Sequence, residues 1–261
     1  MCKPKKKFGQ HFLCNHNIID QIVNFVNPSF NIEIIEIGSG LGALTIPISK
    51  KSKFFTIIEI DKNLVLKLKN NKNIQLNLNI INQDIMRMNL DHFFINFNKP
   101  VKIFGSLPYN ISTQLIYRLI EQTEKIFDMH FILQKEVAER ILAQPNSKNY
   151  GYMSIIMQYY CRVEKLLDIS KTSFIPIPKV ESTLIRLIPN KIFKFPYQDF
   201  KKFKMIIKLA FNQRRKILKN SLSKYISIKD FKYVNINPNL RAENLSMQEY
   251  YDLSKVFSRK H

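Results

Sequence analysis

The chain has 261 residues, of which 45% are hydrophobic, so it can build a substantial core and wholesale disorder is excluded. It has 41 lysine and arginine residues against 20 aspartate and glutamate residues, a formal net charge of +21. Such an excess favours a polyanionic partner, most simply a nucleic acid, over a small neutral one. The alternative is a lysine-rich genome, which explains lysine better than it explains the adjacent arginines Arg214 and Arg215.

Cysteine and histidine do not form a recognisable site in the sequence. The three cysteines, Cys2, Cys14 and Cys161, are odd in number and lack zinc-site spacing, so we expect neither a metal nor a disulfide framework. No run of about 18 apolar residues occurs, and no apolar core of signal-peptide length follows the basic N-terminus. We therefore expect a cytoplasmic monomer without a membrane or metal partner.

Predicted strands and helices alternate through about the first 150 residues, after a basic arm at residues 3–7. In chain order they are a helix over Ile18–Val26, a strand over Ile32–Ile37, a helix over Ala43–Lys51, a strand over Phe54–Ile60, a helix around Leu64–Leu68, strands over Leu76–Ile81 and at Val101–Phe104, a helix around Leu115–Ile120, a strand over Met129–Leu133 and a helix over Lys135–Ala143. Such alternation is typical of an α/β fold with a mainly parallel sheet and helices on both faces.

The later part of the chain changes character. A loop at Pro145–Gly151 leads to a predicted helix over Met153–Tyr160, strands near Val163–Ile169 and Ser182–Ile188, and, after Pro189, lysine-rich helices within Tyr197–Tyr225 and a helix over Ser246–Phe257. Ser246 and Glu249 have the spacing of a capping box at the start of that last helix. We therefore predict two domains, residues 1–190 with the sheet and residues 191–261 as a small helical domain.

A glycine loop and two strand-end acids indicate a cofactor site. Gly38-Ser-Gly-Leu-Gly42 follows a predicted strand and precedes a helix, so its backbone can approach a ligand closely. Glu59 ends the next strand about 20 residues on, where an acid accepts hydrogen bonds from ribose hydroxyls. Asp84 ends the third strand and is placed to accept from an adenine amino group. Either acid alone is ordinary strand-end polarity, but together, at this spacing, they favour a nucleoside site.

The cofactor that fits this pattern best is S-adenosylmethionine. A dinucleotide would favour the complete G-x-G-x-x-G fingerprint, which the loop lacks. A P-loop would need a lysine and a serine or threonine after the glycines, and Ala43-Leu44 stands there instead.

The turn after the strand at Val101 carries residues expected at a ligand site. Ser106, Pro108 and Tyr109 place a small polar side chain, a rigid ring and an aromatic ring at the carboxyl end of a strand, where open α/β sheets bind ligands. Ser112 is placed to cap the following helix. For Tyr109 the alternative is an ordinary core aromatic.

At these motifs, and over nearly its whole length, the chain resembles the KsgA-type ribosomal RNA adenine dimethyltransferases. The matching stretches are Phe8–Leu13, Glu36–Gly42, Ile58–Asp61, Gln83–Asp84, Leu107–Ser112, Leu133–Glu136, Phe174–Val180 and Phe211–Lys216. The last two discriminate best, because general methyltransferases lack them. The resemblance implies a Rossmann-like S-adenosyl-L-methionine-dependent methyltransferase domain with a small all-helical C-terminal domain. It also implies N6-dimethylation of two adjacent adenines in the 3′-terminal hairpin of 16S ribosomal RNA within the immature small subunit.

Position by position, the resemblance assigns residues to three roles. The cofactor contacts are His11, Leu13, Gly38, Gly40, Glu59, Asp84 and Ser106, the catalytic residues are Ser106, Leu107, Pro108, Tyr109 and Phe174, and the RNA-binding residues are Arg214, Arg215, Lys216 and Lys219. In this scheme the Ser106 side chain and the Leu107 carbonyl accept hydrogen bonds from the adenine amine, while Tyr109 stacks on the base. For Phe174 the alternative is a core aromatic, and for the four basic residues it is a solvated helical face.

Two positions depart from the usual pattern of the family, which has asparagine where this chain has His11 and Ser106. Histidine keeps a donor and an acceptor, so His11 is a mild change. Ser106 matters more because that position lies at the reacting amine, and serine is shorter and has no carbonyl.

Other readings of the sequence stay open. One keeps the fold and changes the target to large-subunit ribosomal RNA, as in resistance methylases, or to DNA adenine. Another is a non-catalytic assembly factor that binds RNA and has lost its chemistry through Ser106.

Overall fold

A computed structural model of the chain describes residues 4, 5, 8–74, 78–191 and 199–257. The strands are β1 (Phe12–Leu13), β2 (Ile34–Ile37), β3 (Phe55–Glu59), β4 (Leu78–Asn82), β5 (Val101–Ser106), β6 (Ile126–Gln134), β7 (Cys161–Ile169), β8 (Phe174–Ile175) and β9 (Ser182–Pro189). The helices are α1 (His16–Val26), α2 (Thr45–Ser49), α3 (Lys62–Lys69), α4 (Leu90–Phe94), α5 (Ser112–Ile120), α6 (Lys135–Leu142), α7 (Tyr152–Tyr160), α8 (Phe200–Asn212), α9 (Leu218–Ser221), α10 (Ile228–Tyr233) and α11 (Met247–Phe257). Short 3₁₀ turns lie at Ile85–Arg87, Thr123–Lys125, Lys171–Ser173 and Ala242–Asn244.

Among the described residues, seven strands form one sheet in the order β4-β3-β2-β5-β6-β9-β7. The pairs from β4 to β6 are parallel, and β9 runs antiparallel to β6. The predicted α/β class is confirmed, with a mixed sheet. After β2 the chain adds β3 and β4 on one side and then crosses to β5 on the other. Open sheets bind ligands at such a switch point, outside the carboxyl ends of the strands.

The centre of the sheet is buried because the sequence of its strands is apolar and β-branched. Every residue of β2 and β3 is buried, as expected for parallel strands covered on both faces. Helix α1, capped by the Asn15 side chain, presents its buried face of Ile19, Ile22, Val23 and Val26 to this core. The packing leaves the carboxyl ends of β2, β3 and β5 as the place where loops can form a site.

The chain divides into two compact units that differ from the predicted domains. The first contains the residues up to Ala138 together with Val163–Pro189, and the second contains Glu139–Arg162 together with the chain from Asn190 onward. Residues 139–162 join the second unit because the Tyr150 hydroxyl donates to the Leu245 carbonyl (3.0 Å) and the Tyr159 ring stacks on Phe200, with ring centres 4.7 Å apart. The predicted boundary at residue 190 therefore places α7 with the sheet, whereas its contacts are with the later helices.

The two predicted helix caps have different outcomes. The Ser246–Glu249 box is confirmed, with Ser246 Oγ 2.8 Å from Glu249 Oε2 and the Glu249 amide donating back to Ser246 Oγ. The Ser112 cap is wrong: Ser112 is already inside α5, and its buried hydroxyl donates to the Tyr109 carbonyl (3.3 Å). The beginnings of the predicted strand at Leu76 and of the helical stretch at Tyr197, and most of the basic arm, lie outside the described residues.

Candidate active site

A cavity of about 450 Å³ lies at the carboxyl ends of β2, β3 and β5. It is lined by every residue that the sequence assigned to the cofactor or to the adenine: His11, Leu13, Gly38, Gly40, Glu59, Asp84, Ser106, Leu107, Pro108, Tyr109 and Phe174. The structure thus brings together residues as far apart in the chain as His11 and Phe174.

The glycine loop is shaped by close backbone contacts. Gly38 adopts φ +75°, and a Cβ atom added there would lie 3.6 Å from the Ser106 carbonyl oxygen. At Gly105 an added Cβ would lie only 2.3 Å from the carbonyl oxygen of Ile37, so no other residue allows β2 and β5 to approach so closely. These two glycines bring the loop after β2 against the turn after β5.

Glu59 is buried at the end of β3 with its carboxylate against the glycine loop. Its Oε2 atom accepts from the Gly40 amide (3.1 Å) and from the Ser39 hydroxyl (3.4 Å), and Oε1 accepts from the Asp61 amide (2.9 Å). Burial raises the pKa of the Glu59 carboxyl, while the backbone hydrogen bonds oppose that rise. A fixed acceptor at this position suits the hydroxyls of a ribose.

Glu36 is a third acid at the cavity, beside Glu59 and Asp84, and the sequence analysis did not assign it a role. It is 2% exposed, and its Oε2 accepts from the Thr45 hydroxyl at 2.6 Å. Burial, helped by the nearby charge of Glu59 and opposed by the Thr45 hydrogen bond, raises the pKa of Glu36 to about 8. Glu36 is therefore mainly protonated at pH 7. The sequence does contain a signal for Glu36, because an acid inside a run of β-branched residues is expected to be buried.

Asp84 lies where a short 3₁₀ turn begins after β4. Its Oδ1 accepts from the Met86 amide (2.9 Å), and Arg118 of α5 donates to the carbonyls of Ile85 and Met86 (both 2.8 Å) and of Met88. The guanidinium therefore fixes the turn that carries Asp84. An arginine in an amphipathic helix has no sequence signal for this role, so it was missed.

Tyr109 is held through its hydroxyl and through one face of its ring. Its hydroxyl lies 2.9 Å from the hydroxyl of Ser182, and burial raises the pKa of the phenol. The His11 ring stacks on Tyr109 with ring centres 5.8 Å apart and planes inclined by 26°. His11 Nδ1 in turn donates to the Pro176 carbonyl at 2.7 Å, so its ring links three separate segments of the wall.

Phe174 enters the cavity wall through a two-stranded sheet. Strand β1 pairs antiparallel with β8, with Leu13 opposite Phe174 and Phe12 opposite Ile175. Phe174 is only 1% exposed. The pairing sets the N-terminal segment beside the segment that supplies Phe174.

The four basic residues assigned to RNA differ in their surroundings. Arg214 is half-buried, donates from Nε to Glu243 Oε2 (2.9 Å) and contacts the Lys148 carbonyl. Arg215, Lys216 and Lys219 are exposed. The structure therefore distinguishes one arginine that stabilises the helical unit from three cations that face solvent.

In the part of the chain that the structure describes, no group of three or more histidine, cysteine, aspartate or glutamate side chains could hold a metal ion. None of the helices in those same ranges is long and apolar enough to cross a membrane.

The fold and the site are those of an S-adenosylmethionine-dependent methyltransferase. The sheet is Rossmann-like, and one cavity gathers the glycine loop, Glu59, Asp84 and the proline–tyrosine turn. The model of the family described as "Ribosomal RNA adenine dimethylase" matches residues 1–259, and the chain belongs to this family.

The similarity to known proteins covers almost the whole chain. A protein of Wigglesworthia glossinidia brevipalpis named "Ribosomal RNA small subunit methyltransferase A" is 62% identical over 254 residues, 97% of each chain. The protein of that name from Salmonella typhimurium is 41% identical and covers 97% of this chain and 93% of its own. Among solved structures, a dimethyladenosine transferase from Plasmodium falciparum has a TM-score of 0.83 at 24% identity, covering 96% of this chain and 98% of its own. The 23S rRNA methyltransferase ErmE has a TM-score of 0.71 at 18% identity, covering 95% and 99%. These two structures share the fold.

Proposed function

We propose that the protein dimethylates N6 of two adjacent adenines in the 3′-terminal hairpin of 16S ribosomal RNA, using S-adenosylmethionine, in the immature small ribosomal subunit. The observation that carries the proposal is the single cavity lined by both the cofactor set and the adenine set. The names of the 62% and 41% identical relatives support the small subunit as target. The same names weigh against a large-subunit target. The similarity to the 23S rRNA methyltransferase ErmE is one of fold and does not indicate the target.

The residues of the cavity fit S-adenosylmethionine, which supplies a methyl group activated on a sulfonium when it is bound. Glu59 offers a buried acceptor for ribose hydroxyls, and Asp84 offers one for the adenine amino group. The glycine backbone at Gly38 and Gly40 leaves room for close approach.

The turn after β5 provides what the target amine requires. The exocyclic amine of adenine is a poor nucleophile, because its lone pair is delocalised into the ring. Hydrogen bonds accepted by the Ser106 hydroxyl and the Leu107 carbonyl localise that lone pair and orient it, so alignment replaces a strong base. Tyr109 stacks on the base and Phe174 covers another face, once the base has left its stack.

The helical part of the chain supplies the RNA affinity in this proposal. Arg215, Lys216 and Lys219 are exposed cations that can neutralise phosphates, and Arg214 stabilises the segment that presents them. In this proposal the protein acts as a monomer in the cytoplasm, where ribosomal subunits are assembled.

The decisive assay uses labelled S-adenosylmethionine with undermethylated small subunits, naked large-subunit RNA and DNA, followed by mapping of the modified nucleotides. We expect two adjacent dimethylated adenines in the small-subunit hairpin alone. Label in the large-subunit RNA or in DNA, or no label in any substrate, would contradict the proposal.

A further inference from the structure

The N-terminal segment that lines the cavity, Phe8–Leu13, is fastened to the sheet by a buried carboxylate. Asp61 is 2% exposed and lies two residues after Glu59. Its Oδ1 atom is 2.6 Å from Lys5 Nζ, and its Oδ2 accepts from Gln10 Nε2 at 3.0 Å. The Lys5 backbone amide donates to Gln10 Oε1 at 2.8 Å, which closes a ring of three residues.

The ring joins the cavity wall to residues outside it, because Gln10 lines the cavity and its two partners do not. Every residue from Phe8 to Leu13 lines the cavity, while neither Lys5 nor Asp61 is among the described residues that do. The segment has a second attachment at β1, which pairs with β8. His11 lies between Gln10, where the first attachment is made, and β1, so the position of this part of the wall depends on both.

The contacts of Asp61 favour an ionised carboxylate. Burial by itself would raise the pKa of Asp61, but the hydrogen bonds from Lys5, Gln10 and the Asn63 amide outweigh burial and lower it. A charged, buried acceptor with two side-chain donors forms stronger hydrogen bonds than a neutral one. The attachment is thus present at neutral pH.

We propose that Asp61 is a positioning residue, which holds the Phe8–Leu13 segment against the cavity through Lys5 and Gln10 and thereby sets how tightly the cofactor is retained. The inference rests on the proposed function only in taking S-adenosylmethionine as the ligand. Asp61 acts through Gln10, whose neighbours His11 and Phe12 form the wall.

The cleanest variant is Lys5→Met in the full chain. It removes the ion pair and leaves Asp61 to cap α3 through the Asn63 amide (3.0 Å). We expect the dissociation constants of S-adenosylmethionine and S-adenosylhomocysteine, measured by calorimetry, to rise about fivefold, as for the loss of one partly exposed charged hydrogen bond. Hydrogen exchange of the Phe8–Leu13 amides, measured without ligand, should become faster.

The matched control is Lys165→Met, which removes an ion pair of similar length, 2.7 Å to Asp168, in the same unit. It should leave both measurements unchanged. Asp61→Asn should weaken cofactor binding at least as much, and adding Lys5→Met to it should have less than about a twofold further effect, because the two residues act as one unit. If Asp61→Asn does not fold, Lys5→Met decides.

The proposal is overturned if Lys5→Met leaves both the dissociation constants and the amide exchange at the wild-type values. A wild-type protein that binds cofactor but does not methylate small subunits would refute the proposed function and leave this inference standing. If the cofactor does not bind at all, the ligand-free amide exchange still decides whether the attachment exists.

Discussion

Ser106 and His11 stand at positions where the family usually has asparagine, and the structure gives the two departures different consequences. The His11 ring stacks on Tyr109 and donates to the Pro176 carbonyl, so it takes part in shaping the wall. Ser106 ends β5 beside the glycine loop and lines the cavity. We therefore expect the chemistry of the target amine to depend on Ser106 more than on His11.

Ser106→Ala should lower the single-turnover rate constant of methyl transfer about 10- to 100-fold, because it removes one acceptor of the target amine. Ser106→Asn, which restores the usual residue, should be at least as active as the wild type. The measurement is single-turnover methyl transfer to undermethylated small subunits. Equal, absent activity in the wild type and in Ser106→Asn would favour a protein that only binds RNA.

Glu36 gives the folded protein a pH dependence that a surface acid would not. In the unfolded chain its carboxyl loses its proton near 4.5, but in the folded protein it does so near pH 8. Its contribution to stability is therefore fully present below about pH 4.5 and is lost as the pH rises towards 8. Glu36→Gln, which is always neutral, should remove this decline, which is on the order of 5 kcal/mol.

Urea unfolding of the wild type and of Glu36→Gln at several pH values, from about 5 to about 9, measures this effect. Glu121→Gln is the control, because Glu121 is exposed. Identical pH profiles for the wild type and Glu36→Gln would show that Glu36 is ionised in the folded protein.

Among the elements, α5 does more than cover the sheet. The Arg118 guanidinium fixes the turn after β4 by donating to the carbonyls of Ile85, Met86 and Met88. The position of Asp84 depends on that turn, because Asp84 caps it.

Arg118→Met should lower the free energy of unfolding by about 2 kcal/mol and weaken S-adenosylhomocysteine binding, because three partly buried carbonyls lose their donor. Arg118→Lys keeps the charge but not the fork of donors, so it should restore only part of either quantity. Calorimetry and thermal unfolding measure the two effects. Unchanged ligand affinity in Arg118→Met would show that the turn after β4 does not affect cofactor binding.

The sequence predicts an element well where its own residues decide the structure. Glu59 and Asp84 could be placed because Glu59 ends β3 and Asp84 follows β4, and parallel strands end at one edge of the sheet. Asp61 and Arg118 could not, since their roles arise from partners distant in the chain. The grouping of α7 with the later helices has the same origin, because it depends on contacts such as that of Tyr159 with Phe200.

For the whole molecule, the net charge of +21 is the property that concerns the RNA partner. Not every cation contributes equally, because some are already paired within the protein. Arg214 is bound to Glu243, whereas Arg215 and Lys216 are exposed. Binding and stability should therefore respond differently to neighbouring substitutions.

Replacing both Arg215 and Lys216 by alanine should weaken binding to small subunits and reduce the slope of log K against log salt by about 1.5, as two phosphate contacts are lost. Arg214→Ala should instead lower the thermal stability, because it leaves Glu243 without its cation. Filter binding over a range of salt concentrations measures the slope. A slope that stays the same in the double variant would place the RNA contacts elsewhere on the protein.

The most direct test of the common cavity is a crystal structure with S-adenosylhomocysteine bound. The ribose hydroxyls should lie within hydrogen-bond distance of the Glu59 carboxylate and the adenine amino group beside Asp84, with the thioether sulfur facing Ser106 and Tyr109. A ligand seated outside this cavity, or no binding at saturating concentration, would contradict the assignment.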